Sequence, residues 1–362
     1  MKQPRSAKRW HACALLLIVS LILPLSLAAC QRGSEVPLSP GLSLIEGVAV
    51  HDKDVAVRSD HFTVTPGMMG YFFYTYGLRV LEEIQQTLPY DTGKLLHDQM
   101  YDETRSYYDM IMNEALDRVC KMLICCEAAR AEGVELTAEQ EEEISKLISA
   151  DRVKAAGEYG LQYDAYLKQM YGPQMTSADM EEILALETLA NSFSRTLNTR
   201  LEEGVTKEQL NAYLAAQESV DHTPSRNISF LFIPFVGGGV NTERVNKACE
   251  AMQKAPGLET LESLSDLGTL GEEANMTPKN SGIKAITAWL FDSARHVGEW
   301  GRVDVEGATY ILLYTGNGIG YDEVHARMTL YDNAYAAWYN SWVEALEFGY
   351  NYDCLDGYDV SK

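Results

Sequence analysis

The sequence predicts an α+β protein, mostly helical, with a small α/β unit inserted before a C-terminal helix. Three observations point there. Between residues 66 and 216, apolar positions recur at three- and four-residue spacings, punctuated by Gly133, Gly160, Gly172 and Gly204. In the last third, residues 226–235, 301–305 and 309–314 are rich in β-branched and aromatic side chains, with helical patterns between the first two. From 321 to about 348 the helical period returns. With 362 residues and 46% hydrophobic composition the chain can bury a sizeable core, and two domains is the starting expectation. Its formal charge of −22 repels phosphate backbones and anionic headgroups, which argues against nucleic-acid binding and polybasic membrane docking.

The N-terminal 29 residues carry Lys2, Arg5, Lys8 and Arg9 and no acid, and residues 15–27 are almost wholly apolar. This is the pattern of a secretory signal, too short to span a membrane comfortably at about 20 residues. The apolar run ends in Leu27-Ala28-Ala29-Cys30, which resembles the bacterial lipobox. That resemblance implies cleavage before Cys30, lipidation of its thiol, and attachment of the body to the extracytoplasmic face of the cell membrane. An ordinary signal peptide with a coincidental cysteine is the alternative. Residues 30–47, with Gly33, Ser34, Pro37, Ser39, Pro40 and Gly41, read as a flexible tether.

The helical module is expected over 48–220. Val55-Ala56-Val57 and Phe62-Thr63-Val64 alternate around Arg58-Ser59-Asp60 as a small hairpin. Thr65-Pro66 caps a helix to about 88 that carries Met68, Met69, Tyr71, Phe72, Phe73, Tyr74 and Tyr76. A second helix is predicted over 94–131, with Tyr108, Met112, Ala115, Val119, Met122 and Cys126 on one face. Thr137 with Gln140, and Thr206 with Gln209, are capping boxes that open further helices. Residues 138–156, 163–171, 177–203 and 207–216 are the helices expected next, with Gly157 and Gly160 breaking the first of them.

The order hairpin, long helices, then Gly160-Leu-Gln-Tyr-Asp-Ala-Tyr-Leu-Lys-Gln-Met-Tyr-Gly172 and Thr206-Lys-Glu-Gln-Leu-Asn-Ala-Tyr213 resembles the helical region of the SurA and PrsA type of exported foldases. The resemblance implies a chaperone region that holds unfolded exported polypeptides. Tyr71, Phe72 and Tyr74 are the candidate client contacts on its first helix. At helical spacing they also read as core.

Residues 221–318 form the second expected unit. A strand at 226–235, helices at 241–254 and 258–264, a loop at 268–282, a short helix at 289–295 and strands at 301–305 and 309–314 follow in order. This β-α-α-loop-β-β sequence is similar to the parvulin prolyl-isomerase domain of the same foldases. The resemblance places that family's two histidines at Phe230, within Ser229-Phe-Leu-Phe-Ile233, and at Tyr310. It therefore implies a non-catalytic parvulin-like module, with Phe230, Trp289 and Tyr310 as candidate client contacts. An active prolyl isomerase using other residues, and an envelope- or solute-binding lipoprotein, are the alternatives.

No catalytic residue, metal ligand or cofactor is assigned. The histidines have no HExxH spacing, and Gly237-Gly-Gly239 lacks the Lys-Ser/Thr of a phosphate loop. Cys120, Cys125, Cys126, Cys249 and Cys354 lack a CxxC pair and, after the signal and Cys30, are odd in number, which predicts buried thiols. Residues 319–362 are expected to pack back on the helical module through Met328, Tyr331, Tyr335, Trp338, Trp342 and Leu346, ahead of an acidic tail.

Overall fold

The computed structural model describes residues 45–85, 91, 93–235, 239–279 and 282–358. The expected signal, Cys30, the tether as far as 44, Gly237, Gly238 and Asp359 lie outside them. The chain is α+β and forms two compact units. Among the described residues, the first comprises those from 45 to 198 together with 337–358, and the second those from 199 to 336.

In the first unit a four-stranded sheet is built from β1 (Gly47–Ala49), β2 (Val57–Arg58), β3 (Thr63–Val64) and β8 (Phe348–Tyr350). Its order is β1-β8-β2-β3, with β8 parallel to β1 and antiparallel to β2. The hairpin is as predicted. Strand β8 corrects the expectation of helix through Phe348, since Phe348 and Tyr350 are fully buried and Asn351 N–H donates to Ala56 O at 2.9 Å. Gly349 allows this insertion, because a Cβ there would lie 2.6 Å from Val50 Cγ2.

Helix α1 (Pro66–Gln85) starts where Thr65 Oγ1 accepts from Met68 N–H. Its Met68, Met69, Phe72 and Phe73 are buried. Helix α2 is Tyr107–Ala131, not 94–131. Asp102 Oδ1 accepts from the Thr104 and Arg105 amides, which turns the chain, and Ser106 then forms a capping box with Asp109. Helix α3 (Ala138–Lys154) has the Thr137–Gln140 box and runs into a π turn at Ala155–Tyr159. Gly157 lies inside that turn and Gly160, at φ 66°, ends it, so only the second of the two predicted breakers acts. Helices α4 (Tyr163–Tyr171) and α5 (Ser177–Glu203) match the sequence expectation.

One polar knot ties the hairpin to α2. Glu127, buried, accepts from Ser59 Oγ at 2.6 Å, His61 N–H at 2.7 Å and the His61 ring at 2.8 Å. The Ser59 hydroxyl donates to the carboxylate and not to the imidazole, so the trio is a tie and not a nucleophile arrangement.

In the second unit, α6 (Lys207–Ala215) opens on the Thr206–Gln209 box. There follow β4 (Pro224–Pro234), α7 (Thr242–Lys254), α8 (Leu258–Glu262), β5 (Thr269–Met276), α9 (Lys284–Leu290), β6 (Trp300–Val305) and β7 (Ala308–Gly320). The expected loop at 268–282 is therefore largely a strand, and the short helix lies at 284–290 instead of 289–295. Glycine, two glutamates and asparagine mask the strand in sequence, whereas pairing with β4 holds it in register. Helix α10 (Tyr321–Ala345) and the short α11 (Tyr352–Leu355) complete the elements.

The second sheet has the order β5-β4-β7-β6, all antiparallel. Leu231, Ile233, Ile311 and Leu313 face α7 and α8 and pack on Val245, Ala248, Met252 and Leu261. The opposite face carries Ile228, Leu312, Tyr314 and Val303 under Ile286 and Leu290 of α9.

Candidate functional site

Strand alternation sends Ile228, Phe230 and Phe232 to the α9 face of the second sheet. The register sets Phe230 between Gly271 and Leu312, and Phe232 between Thr269 and Tyr310. Leu312 and Tyr310 in turn face Gly301 and Val303 of β6. Two glycines shape the surface. The Phe230 ring lies against Gly271, where no Cβ would fit, and the Trp289 indole lies over Gly301, where a Cβ would collide with Nε1. Helix α9 covers one end of this face. At the other end Phe230, Phe232 and Tyr310 are only half-buried.

The Tyr310 ring meets Phe230 at 5.5 Å between centroids and 59° between planes, and Phe232 at 5.3 Å and 64°. These are the tilted geometries that ring quadrupoles favour. Burial, and secondarily the Glu273 carboxylate, raise the Tyr310 phenol above its ordinary range. Neither Phe230 nor Tyr310 thus exchanges a proton near neutrality. The pair forms an apolar shelf with one phenolic hydroxyl.

Trp289 lies on the same face but toward the α9 end, with the Arg295 guanidinium 4.4 Å from its ring. The structure therefore brings together three of the candidate contacts, Phe230, Trp289 and Tyr310. Phe232 joins them and was readable from the period of two. Glu273 also faces this side, paired in register with Ile228, and was hidden in the stretch expected to be loop.

Tyr71 and Phe72 of α1 lie in the core, at 5% and 1% exposure. Tyr71 OH donates to Glu187 Oε2 at 3.4 Å and its ring packs on Tyr171 at 5.2 Å. Burial lifts the Glu187 carboxyl to about 7, against the pull of Tyr71 and Arg118. Tyr74 is partly exposed and sits edge-on to Phe73 at 5.4 Å. Of the three candidate contacts on α1, Tyr74 alone is partly exposed.

Cys120, Cys125 and Cys126 are buried. Burial raises the Cys120 thiol to about 12 and the Cys125 thiol to about 11. Cys249 and Cys354 are partly exposed. Among the described residues no three His, Cys, Asp or Glu side chains converge as a metal site, and no helix is long and apolar enough to cross a membrane.

No protein-family model matches the chain, and no curated protein matches it by sequence. Among solved structures it is similar to PrsA from Bacillus subtilis, with 13% identity over 70% of this chain and 92% of that one and a TM-score of 0.32. It is similar to the foldase protein PrsA from Streptococcus pneumoniae, with 15% identity over 71% and 92% and a TM-score of 0.30. A chain from the study of PEB4 and Cj1289, two SurA-like chaperones of Campylobacter jejuni, matches at 8% identity over 82% and 98%, with a TM-score of 0.24.

Proposed function

We propose that the protein is an extracytoplasmic chaperone of the foldase kind, held to the membrane by a lipid on Cys30, that binds unfolded exported polypeptides. In this reading residues 48–220 and 319–362 form the holding module and 221–318 a non-catalytic client contact; no cofactor takes part. One observation carries it: where the resembled parvulins have two histidines, Phe230 and Tyr310 meet in a half-buried aromatic shelf.

Prolyl rotation crosses a barrier of ~18–20 kcal/mol set by amide resonance. Lowering it takes polar groups aimed at the twisted amide, and Phe230 offers none. What the shelf offers is apolar area. Burying one or two client side chains at ~1.5–3 kcal/mol each corresponds to millimolar-range contacts per site. Contacts that weak suit holding and release of many sequences, not tight capture of one.

The test uses the soluble body from Gln31 onward in two assays, turnover of a proline-containing peptide and aggregation of an unfolded exported protein. Suppressed aggregation without turnover is the expected result. Turnover would overturn the non-catalytic assignment. Neither effect, with one small ligand raising Tm, would establish a binding lipoprotein instead.

A further inference from the structure

The aromatic shelf carries one acidic group that the packing of the unit does not use. Glu273 stands on β5, the edge strand, two residues from Gly271, so its side chain shares the face with Phe230 and Tyr310. Burial raises its carboxyl above the ordinary value. The same carboxylate is felt by Tyr310. No salt bridge to Glu273 forms among the described residues. Several cations of the unit are engaged elsewhere: Arg226 lies against Phe291 and Tyr314, Arg295 pairs with Glu299, Arg302 with Asp304, Lys247 with Asp266 and Arg327 with Glu323. Glu273 is thus an exposed carboxylate on the face of the three rings with no ion-pair partner among the described residues.

Resting on the reading of the shelf as a client contact, we propose that Glu273 makes it selective for extended segments carrying a lysine or arginine two positions from an aromatic or large apolar residue. The spacing follows from the sheet. Residues 271 and 273 lie on one face about 6.8 Å apart along β5, and positions i and i+2 of an extended client repeat that interval. One client side chain then rests against Phe230, Phe232 and Tyr310, while the next on the same side brings its ammonium or guanidinium to Glu273. Cation–π contact with Tyr310 adds to the preference. An acidic client residue at that position meets like charge. Because the whole chain is acidic, diffuse charge would favour basic clients at any spacing, so position and not charge alone is the signature.

The experiment measures binding of labelled heptapeptides to the full chain in detergent, by fluorescence polarisation. Each peptide has one phenylalanine and, two positions on, lysine, glutamine or glutamate; a fourth moves the lysine to the adjacent position. The lysine peptide is expected to bind about three- to tenfold tighter than the glutamate peptide, and the shifted lysine to lose most of that gain. Glu273→Gln should collapse the difference and Glu273→Lys should invert it. Glu272→Gln, the same charge change on the opposite face, should leave it intact. Equal affinities for the three charge variants, or equal effects of Glu272→Gln and Glu273→Gln, would overturn the proposal while leaving the shelf as a client contact. Failure of every peptide to bind would overturn the shelf reading and this inference with it.

Discussion

Glu127 and Glu187, both in the helical unit, respond to acid in opposite directions. Burial pushes the Glu127 carboxyl upward, but hydrogen bonds from Ser59, the His61 amide and the His61 ring outweigh it and hold the group below its ordinary value. The stability it contributes is present above the ordinary carboxyl range and is lost as pH falls through its depressed folded value. Glu187 is the reverse, raised to about 7 chiefly by burial. The folded state keeps a proton that the unfolded chain has released, so stability falls as pH rises from about 4.5 to about 7. Glu187→Gln should flatten that fall and leave the variant on the order of 1–3 kcal/mol more stable than the parent above pH 7. Urea unfolding at pH 5 and pH 8 checks this, and an unchanged pH slope would sink it. A further expectation at this scale concerns sulfur. The burial-raised Cys120 and Cys125 thiols should react with a thiol reagent only on unfolding, while Cys249 and Cys354 react in the native state; rapid native labelling of Cys125 would contradict the packing.

Residues also differed in how much of their placement could be read beforehand. Phe230 and Tyr310 were singled out through the resemblance, whereas Phe232 was not, although the period of two puts it on the same face as Phe230. The distinction between Tyr71, which is core, and Tyr74, which reaches the surface, depends on which neighbours Tyr171 and Glu187 supply. Those neighbours lie about a hundred residues away, beyond what spacing on one helix encodes.

Among the elements, the helix starts at Thr137 and Thr206 were legible because a capping box is written in four consecutive residues. The start of α2 was missed although it has the same device, since Asp109 and not glutamate or glutamine holds the third position behind Ser106. Ser106→Ala should cost about 1 kcal/mol of stability in the helical unit, measured by thermal unfolding; a neutral substitution would mean that the Asp102 turn alone sets the start. Strand β5 was illegible because its partner and not its composition makes it a strand. Asn275, at φ 55°, ends its regular pairing, a conformation asparagine tolerates. Gly271 matters for another reason, as the space it leaves is filled by the Phe230 ring. Gly271→Val should displace that ring and weaken aggregation suppression several-fold while β4, β6 and β7 stay paired. Unchanged suppression with a folded sheet would separate Phe230 from client binding.

For the molecule as a whole, the fold class followed from periodicity, but the closure of the first unit by its last residues did not. Val57 pairs with Tyr350, nearly 300 residues further along the chain. Around that sheet, Tyr358 OH donates to Pro66 O at 2.8 Å, the Tyr358 ring stacks on Phe73 at 5.5 Å, and Tyr108 OH donates to Leu355 O. Removing residues 346–362 should therefore unfold the helical unit at much lower temperature, an effect followed by circular dichroism. A truncated chain with the parent's Tm would contradict it.

The position of β8 also sets a timetable. Strand β1 pairs only with β8 among the described strands, so the first of these strands to be made waits for the last. Until then a growing chain can close the β2–β3 hairpin locally but not the sheet, and the apolar face of α1 lacks the C-terminal residues that cover it. Closing so long a loop costs entropy that grows only slowly with length, so the delay is one of availability more than of free energy. A chain stalled or clipped before Phe348 would keep its N-terminal strand unpaired and Phe73 less covered, open to proteases, so completeness of synthesis becomes a condition for survival.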